Sequence, residues 1–183
     1  CMGWFFLLLL SCLAKKEYPI VYVSNVVSYD TFTIGQPQQT AKWKEAPRIR
    51  VCASTEAPIL RVQKAVKYWE MLGYKFDGVF VDHRINCLEP HHGEIIITLP
   101  ESDFNNERIA STRLYTEKIT GNIAKVKIFI YPRSVKKDRV LEHEIGHALG
   151  WKHHKQKFHI MHPNWLEGGT DHSGLRKSRD RIR

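Results

Sequence analysis

The chain has no long hydrophobic run, little acidic charge and few cysteines, and each shortage removes a class of protein. The longest apolar stretch, Trp4 to Leu10 with a weak extension to Ala14, is far too short to cross a bilayer, which takes about 20 apolar residues. Asp and Glu number 19 against 28 Lys and Arg, leaving a formal net charge of +9. No DNA- or RNA-binding motif accompanies that basic balance, so specific nucleic-acid recognition is not expected. No internal repeat is present, which excludes solenoid and propeller arrays. With only 4 cysteines in 183 residues, the fold must rest on a buried core, and the length suffices for one domain with such a core.

The apolar run has the length of a signal-peptide core. Leu9-Leu10-Ser11-Cys12 looks like a bacterial lipobox in which Cys12 would carry the lipid, although no positively charged region precedes it. Residues 1–14 are therefore expected to be a leader, and the protein to be exported as an envelope lipoprotein or in secreted form. The alternative is a partly buried N-terminal segment. Two cysteines then remain in the body of the chain, Cys52 and Cys87, either as one disulfide or as two buried free thiols. At the other end Arg176, Lys177, Arg179, Arg181 and Arg183 face only Asp180. Such a tail suits an anionic envelope surface or is simply solvated.

Residues 15–47 are polar and mixed, and read as a linker or short pro-segment with a strand near 20–27. From residue 48 the pattern becomes regular. Arg48–Ala53 alternates polar and apolar residues and predicts a strand. Ser54 or Thr55 is the expected cap of a helix with Pro58 in its first turn; its apolar face is Leu60, Val62, Ala65, Val66, Trp69 and Leu72, and Gly73 stops it. Strands are expected at 78–83, 93–99, 109–116 and 125–131, that at 93–99 apolar enough for the middle of a sheet and that at 109–116 polar enough for an edge. Pro132 ends the last of these, and Ser134 can cap a second helix. A terminal helix would begin near Asp171.

The most specific pattern is His143-Glu144-Ile145-Gly146-His147-Ala148-Leu149-Gly150-Trp151-Lys152-His153. On a helix, His143 and His147 lie one turn apart on one face, while Leu141, Ile145, Ala148 and Leu149 gather on another. Glu144 sits about 100° round from His143, near enough to reach a metal-bound water without ligating the metal. Gly150 can turn the chain through positive φ and return His153 as a third ligand. Three protein ligands leave an open position on zinc, the hallmark of a catalytic site. His154 and His159 compete for the third place, but the Gly-x-x-His spacing favours His153.

This extended HExxHxxGxxH pattern resembles that of the metzincin metallopeptidases. His159-Ile160-Met161-His162-Pro163 follows, with Met161 at the place of the family's Met-turn methionine, eight residues beyond His153 as in the matrixin branch. Pro163 and Trp165 match the Met-x-Pro-x-aromatic segment that walls the matrixin specificity pocket. The close resemblance covers residues 134–165. His154 departs from the small residue usual there, and neither the cysteine-switch motif nor the upstream metal-binding loop is recognisable.

The resemblance implies an α+β zincin fold: a twisted five-stranded mixed sheet with one antiparallel edge strand, two long helices and a Met-turn, the catalytic domain spanning 48–183. It implies one catalytic zinc, with calcium left open, and a zinc endopeptidase in which Glu144 is general base and acid. An extended peptide or protein substrate would add beside 109–116, its side chain entering a shallow or aromatic pocket near Val140, Pro163 and Trp165. A catalytically silent zinc-containing envelope-binding protein is the alternative, as is a basic surface-binding module. His83, His91 and His92 form at most a weak second metal cluster, and His162 and His172 are expected at the surface.

Overall fold

The computed structural model describes residues 21–26, 32–33, 35–101 and 108–178. The expected leader with Cys12 and the tail residues Arg179, Arg181 and Arg183 lie outside them. The fold is α+β. Its main sheet is mixed and six-stranded, in the order β1-β6-β7-β5-β3-β4, with β1 Tyr22–Val26, β3 Arg48–Cys52, β4 Val79–Asp82, β5 Glu94–Thr98, β6 Ala110–Glu117 and β7 Ile123–Ile130. Strands β4, β3, β5 and β7 run parallel, β6 is antiparallel to β7, and β1 is antiparallel to β6. A two-residue β2, Phe32–Thr33, pairs parallel with β8, His153–His154. Among the described residues three α-helices complete the fold: α1 Ile59–Glu70, the short α2 Pro132–Val135 and α3 Val140–Ala148. Among the described residues no helix is long and apolar enough to cross a membrane.

The sheet's two faces differ because side chains alternate along each strand. Ile49 and Val51, Ile95 and Ile97, and Val126 and Ile128 share the face beneath α1 and α3, all buried. Against them Trp69 of α1 is fully buried and its indole N–H donates to Glu142 O at 2.8 Å. Arg61 of α1 clasps the Glu142 carboxylate of α3 through both Nη atoms, at 2.9 and 2.6 Å. A charged pair within the helix contact thus fixes how α3 is turned about its axis.

The opposite face carries Arg50, Ile96 and Lys127 in register. Arg50 is buried and bonded to Glu94 (2.9 Å), Asp82 (3.1 Å) and Glu89 O (2.5 Å). Lys127 pairs with Glu89 and, at 2.9 Å, with Glu101. A Cys52–Cys87 disulfide ties the end of β3 to the loop that covers this face. The loop supplies counter-charges where an apolar face would have supplied side-chain packing.

Several expectations need correction. The strand at 109–116 is not an edge: β1 pairs with it over Arg113–Glu117, contributed by the segment read as linker. The sheet accordingly has six strands, not five. Neither Ser54 nor Thr55 caps α1; they lie in a 3-10 turn, and Pro58 is the extended residue before the helix. Leu60, placed on the apolar face, is exposed. Ser134 does not cap α3 but sits buried inside α2, while Arg139, in left-handed conformation at φ 68°, precedes α3. No helix follows Asp171 among the described residues; turns and bends run to residue 178.

Candidate metal centre

Helix α3 projects His143 and His147 from one face, as i and i+4 positions must. It ends at Ala148, and Gly150 turns the chain at φ 94°. A Cβ there would lie 2.1 Å from Ala41 O, so glycine serves both the conformation and a close backbone crossing. That crossing segment answers the carbonyls a helix leaves unpaired at its C-terminus. Trp43 Nε1 donates to Ala148 O (2.8 Å), Gln39 Nε2 to Leu149 O (2.7 Å) and Thr40 N–H to Gly150 O (2.9 Å). The anchored turn delivers His153, buried, to the two helix histidines.

The three Nε2 atoms converge at 3.0 Å (His147–His143), 3.0 Å (His147–His153) and 3.3 Å (His143–His153). His143 Nδ1 donates to Ile160 O and His147 Nδ1 to Trp151 O, each at 2.7 Å. A carbonyl can only accept, so both rings carry their proton on Nδ1 and turn an Nε2 lone pair to the centre. Two lone pairs 3.0 Å apart cannot hydrogen-bond to each other; a cation between them turns that repulsion into ligation. Burial lowers the His143 pKa to about 4 and holds that of His147 well below its ordinary value, keeping the rings in the neutral form that binds metal. The trio lies close enough to hold a metal ion. Tetrahedral zinc with bonds of about 2.0–2.1 Å sets its nitrogens roughly 3.4 Å apart, near the separations here.

Glu144 opens into the adjoining cavity together with His143. Its carboxylate accepts a 2.5 Å hydrogen bond from the Thr112 hydroxyl of β6. Burial raises its pKa to about 7, with the Thr112 bond pulling the other way. Under the helix, Met161 is fully buried against Gly146, where a Cβ would come within 2.4 Å of its Sδ and 2.7 Å of Trp69 Cζ2. Gly146 therefore lets Met161 press on the backbone between the two histidines. Val140, Pro163 and Trp165 all line the cavity, as do Arg108, Lys137 and Arg139, which the sequence reading did not single out. Only the fold reveals those three, because Arg108 precedes β6 while Lys137 and Arg139 lie in the loop before α3.

The remaining histidines separate. His154 meets His159 edge to face with ring centroids 4.7 Å apart and donates its backbone N–H to Met161 O. His162, expected at the surface, is buried and accepts from Asn164 N–H, whereas His172 is exposed. His92 pairs with Glu117, and among the described residues no second group of three candidate ligands includes His83, His91 or His92. No protein-family model matches the chain, and no curated protein matches its sequence.

Proposed function

We propose that the chain is a zinc-dependent endopeptidase of the metzincin type, matrixin-like in its zincin core, with Met161 in the Met-turn. The observation that carries the reading is the convergence of three imidazole nitrogens beside a carboxylate that opens into the same cavity. Zinc held by His143, His147 and His153 supplies a Lewis acid that acidifies water and polarises a peptide carbonyl.

The chain's own groups do the rest. Glu144 accepts a proton as the water oxygen bonds to the carbonyl carbon, and returns it to the amine as the C–N bond breaks. Thr112 holds one oxygen of Glu144 and so aims the other. Ile160 O and Trp151 O fix the orientation of the ligand rings. Substrate backbone would lie in the cavity next to the Thr112–Glu144 contact. Export through the leader, lipidation of Cys12 and docking of the basic tail on an anionic envelope remain part of this proposal.

The test is peptide-library cleavage read by mass spectrometry with zinc, with chelator and with Glu144→Ala. Cleavage that requires both zinc and Glu144 is expected. A folded, one-zinc protein that cleaves nothing would favour the silent envelope binder; a protein that binds no zinc would end the reading.

A further inference from the structure

The cavity beside His143 and Glu144 has a volume of about 670 Å³ and an apolar wall including Val140, Ile160, Pro163 and Trp165. Among the described residues that line it, Lys137 and Arg139 are cations and Glu144 carries the carboxylate. Both cations gather on the same ring. Lys137 Nζ lies 5.6 Å and Arg139 Cζ 4.9 Å from the Trp165 centroid. Arg139 is held in place, donating from Nη2 to Trp165 O at 3.3 Å, while Trp165 Nε1 donates to Asp138 O at 2.9 Å. Among the described residues neither Lys137 nor Arg139 is ion-paired with a carboxylate. The contrast with buried Arg50 and Lys127, both matched by acids, is direct.

We infer that this cavity selects a substrate carboxylate adjacent to the scissile bond, so that the preferred peptides carry an acidic group there and not an aromatic or aliphatic one. The inference rests on the peptidase reading for its placement. Apolar walls raise the strength of a cation–carboxylate contact by keeping water away, and an unpaired cation offers what a substrate can supply. The net charge of +9 adds a long-range attraction for acidic peptides. The carboxylate can belong to an Asp or Glu side chain or to the end of the substrate chain.

The experiment uses the full chain with zinc and peptides alike except for Glu, Gln or Leu next to the cut, each with a free or amidated C-terminus. Glu is expected to exceed Gln by about tenfold in kcat/KM, less as salt rises. A preference confined to the free-acid peptides assigns the carboxylate to the chain end. Lys137→Gln and Arg139→Gln should each shrink the Glu/Gln ratio, and Arg139→Lys should restore part of it. Leu equal to or above Glu overturns the inference and leaves the peptidase standing. If nothing is cleaved, the peptidase reading fails, and binding to metal-free protein decides the cavity. The Trp165 indole N–H resonance, assigned with Trp165→Phe, should respond at lower concentration to an N-acetyl glutamyl peptide than to its glutaminyl twin, and an equal response overturns the inference.

Discussion

The two faces of the sheet use charge in opposite ways. On the loop-covered face, Arg50 is buried and bonded to Asp82 and Glu94, and the Cys52–Cys87 disulfide closes the loop over them. On the helix-covered side, three imidazoles are packed against one another at the candidate metal site, and burial raises the Glu144 pKa to about 7 despite the Thr112 hydrogen bond. A charge network satisfied inside the protein has no capacity left for a ligand; one left incomplete is unstable alone and completed by what binds. The same protein thus separates groups that hold it together from groups that wait for a partner.

Glu144→Gln should divide the faces most sharply. Peptide cleavage is expected to fall by about 10³-fold or more, while zinc stoichiometry and thermal midpoint hold, because the amide keeps the shape and removes a buried acid. Steady-state kinetics, metal analysis and calorimetry check this; a parallel loss of zinc would mean that Glu144 holds the site together and does not drive turnover.

Arg50→Met should do the reverse. Removing the cation leaves Glu94 buried without its partner and Asp82 with Arg84 alone, with an expected loss of about 3 kcal/mol of stability. Cleavage per folded molecule at low temperature should persist. Urea unfolding measures the first, and active-site-normalised rates the second.

Acid gives the smallest contrast. His143 has its folded pKa depressed to about 4 from an ordinary 6.5, and that of His147 is also lowered. A depressed folded pKa means stability that is present above pH 6.5 and lost as pH falls through about 4. Metal-free protein should therefore soften across that window. On the other face, the Arg84 guanidinium, with help from Arg50, holds Asp82 well below the usual carboxylate range, so its contribution is lost only at still lower pH. Hydrogen exchange at amides of α3 and of β3 would separate the two; simultaneous opening would refute the division.

Much of the site was legible beforehand because its spacing is local. An i, i+4 histidine pair needs only a helix, and Gly150 followed three residues later by His153 needs only a turn. The central strands were legible too, since Ile95–Ile97 is apolar on both faces. What misled was local chemistry without its partners. The polar pattern of β6 suggested an edge, but β1 arrives from more than 80 residues upstream to pair with it. Ser134 looked like a cap, yet the helix begins after Arg139. Val140, Pro163 and Trp165 were placed at one pocket and do line one cavity, whereas nothing local in the sequence brought Arg108, Lys137 and Arg139 to it.

By itself the sequence determined which residues can ligate a metal, which carboxylate stands beside them, and that strands and helices alternate, because these follow from helical and strand periodicity over a few residues. Only the tertiary structure decided that Thr112 holds Glu144, that the segment at Gln39–Trp43 caps α3, that Met161 presses on Gly146, and that Arg108, Lys137 and Arg139 meet at one cavity. Those contacts join residues tens of positions apart, and which of the many possible meetings occurs is settled by burying the whole core at once.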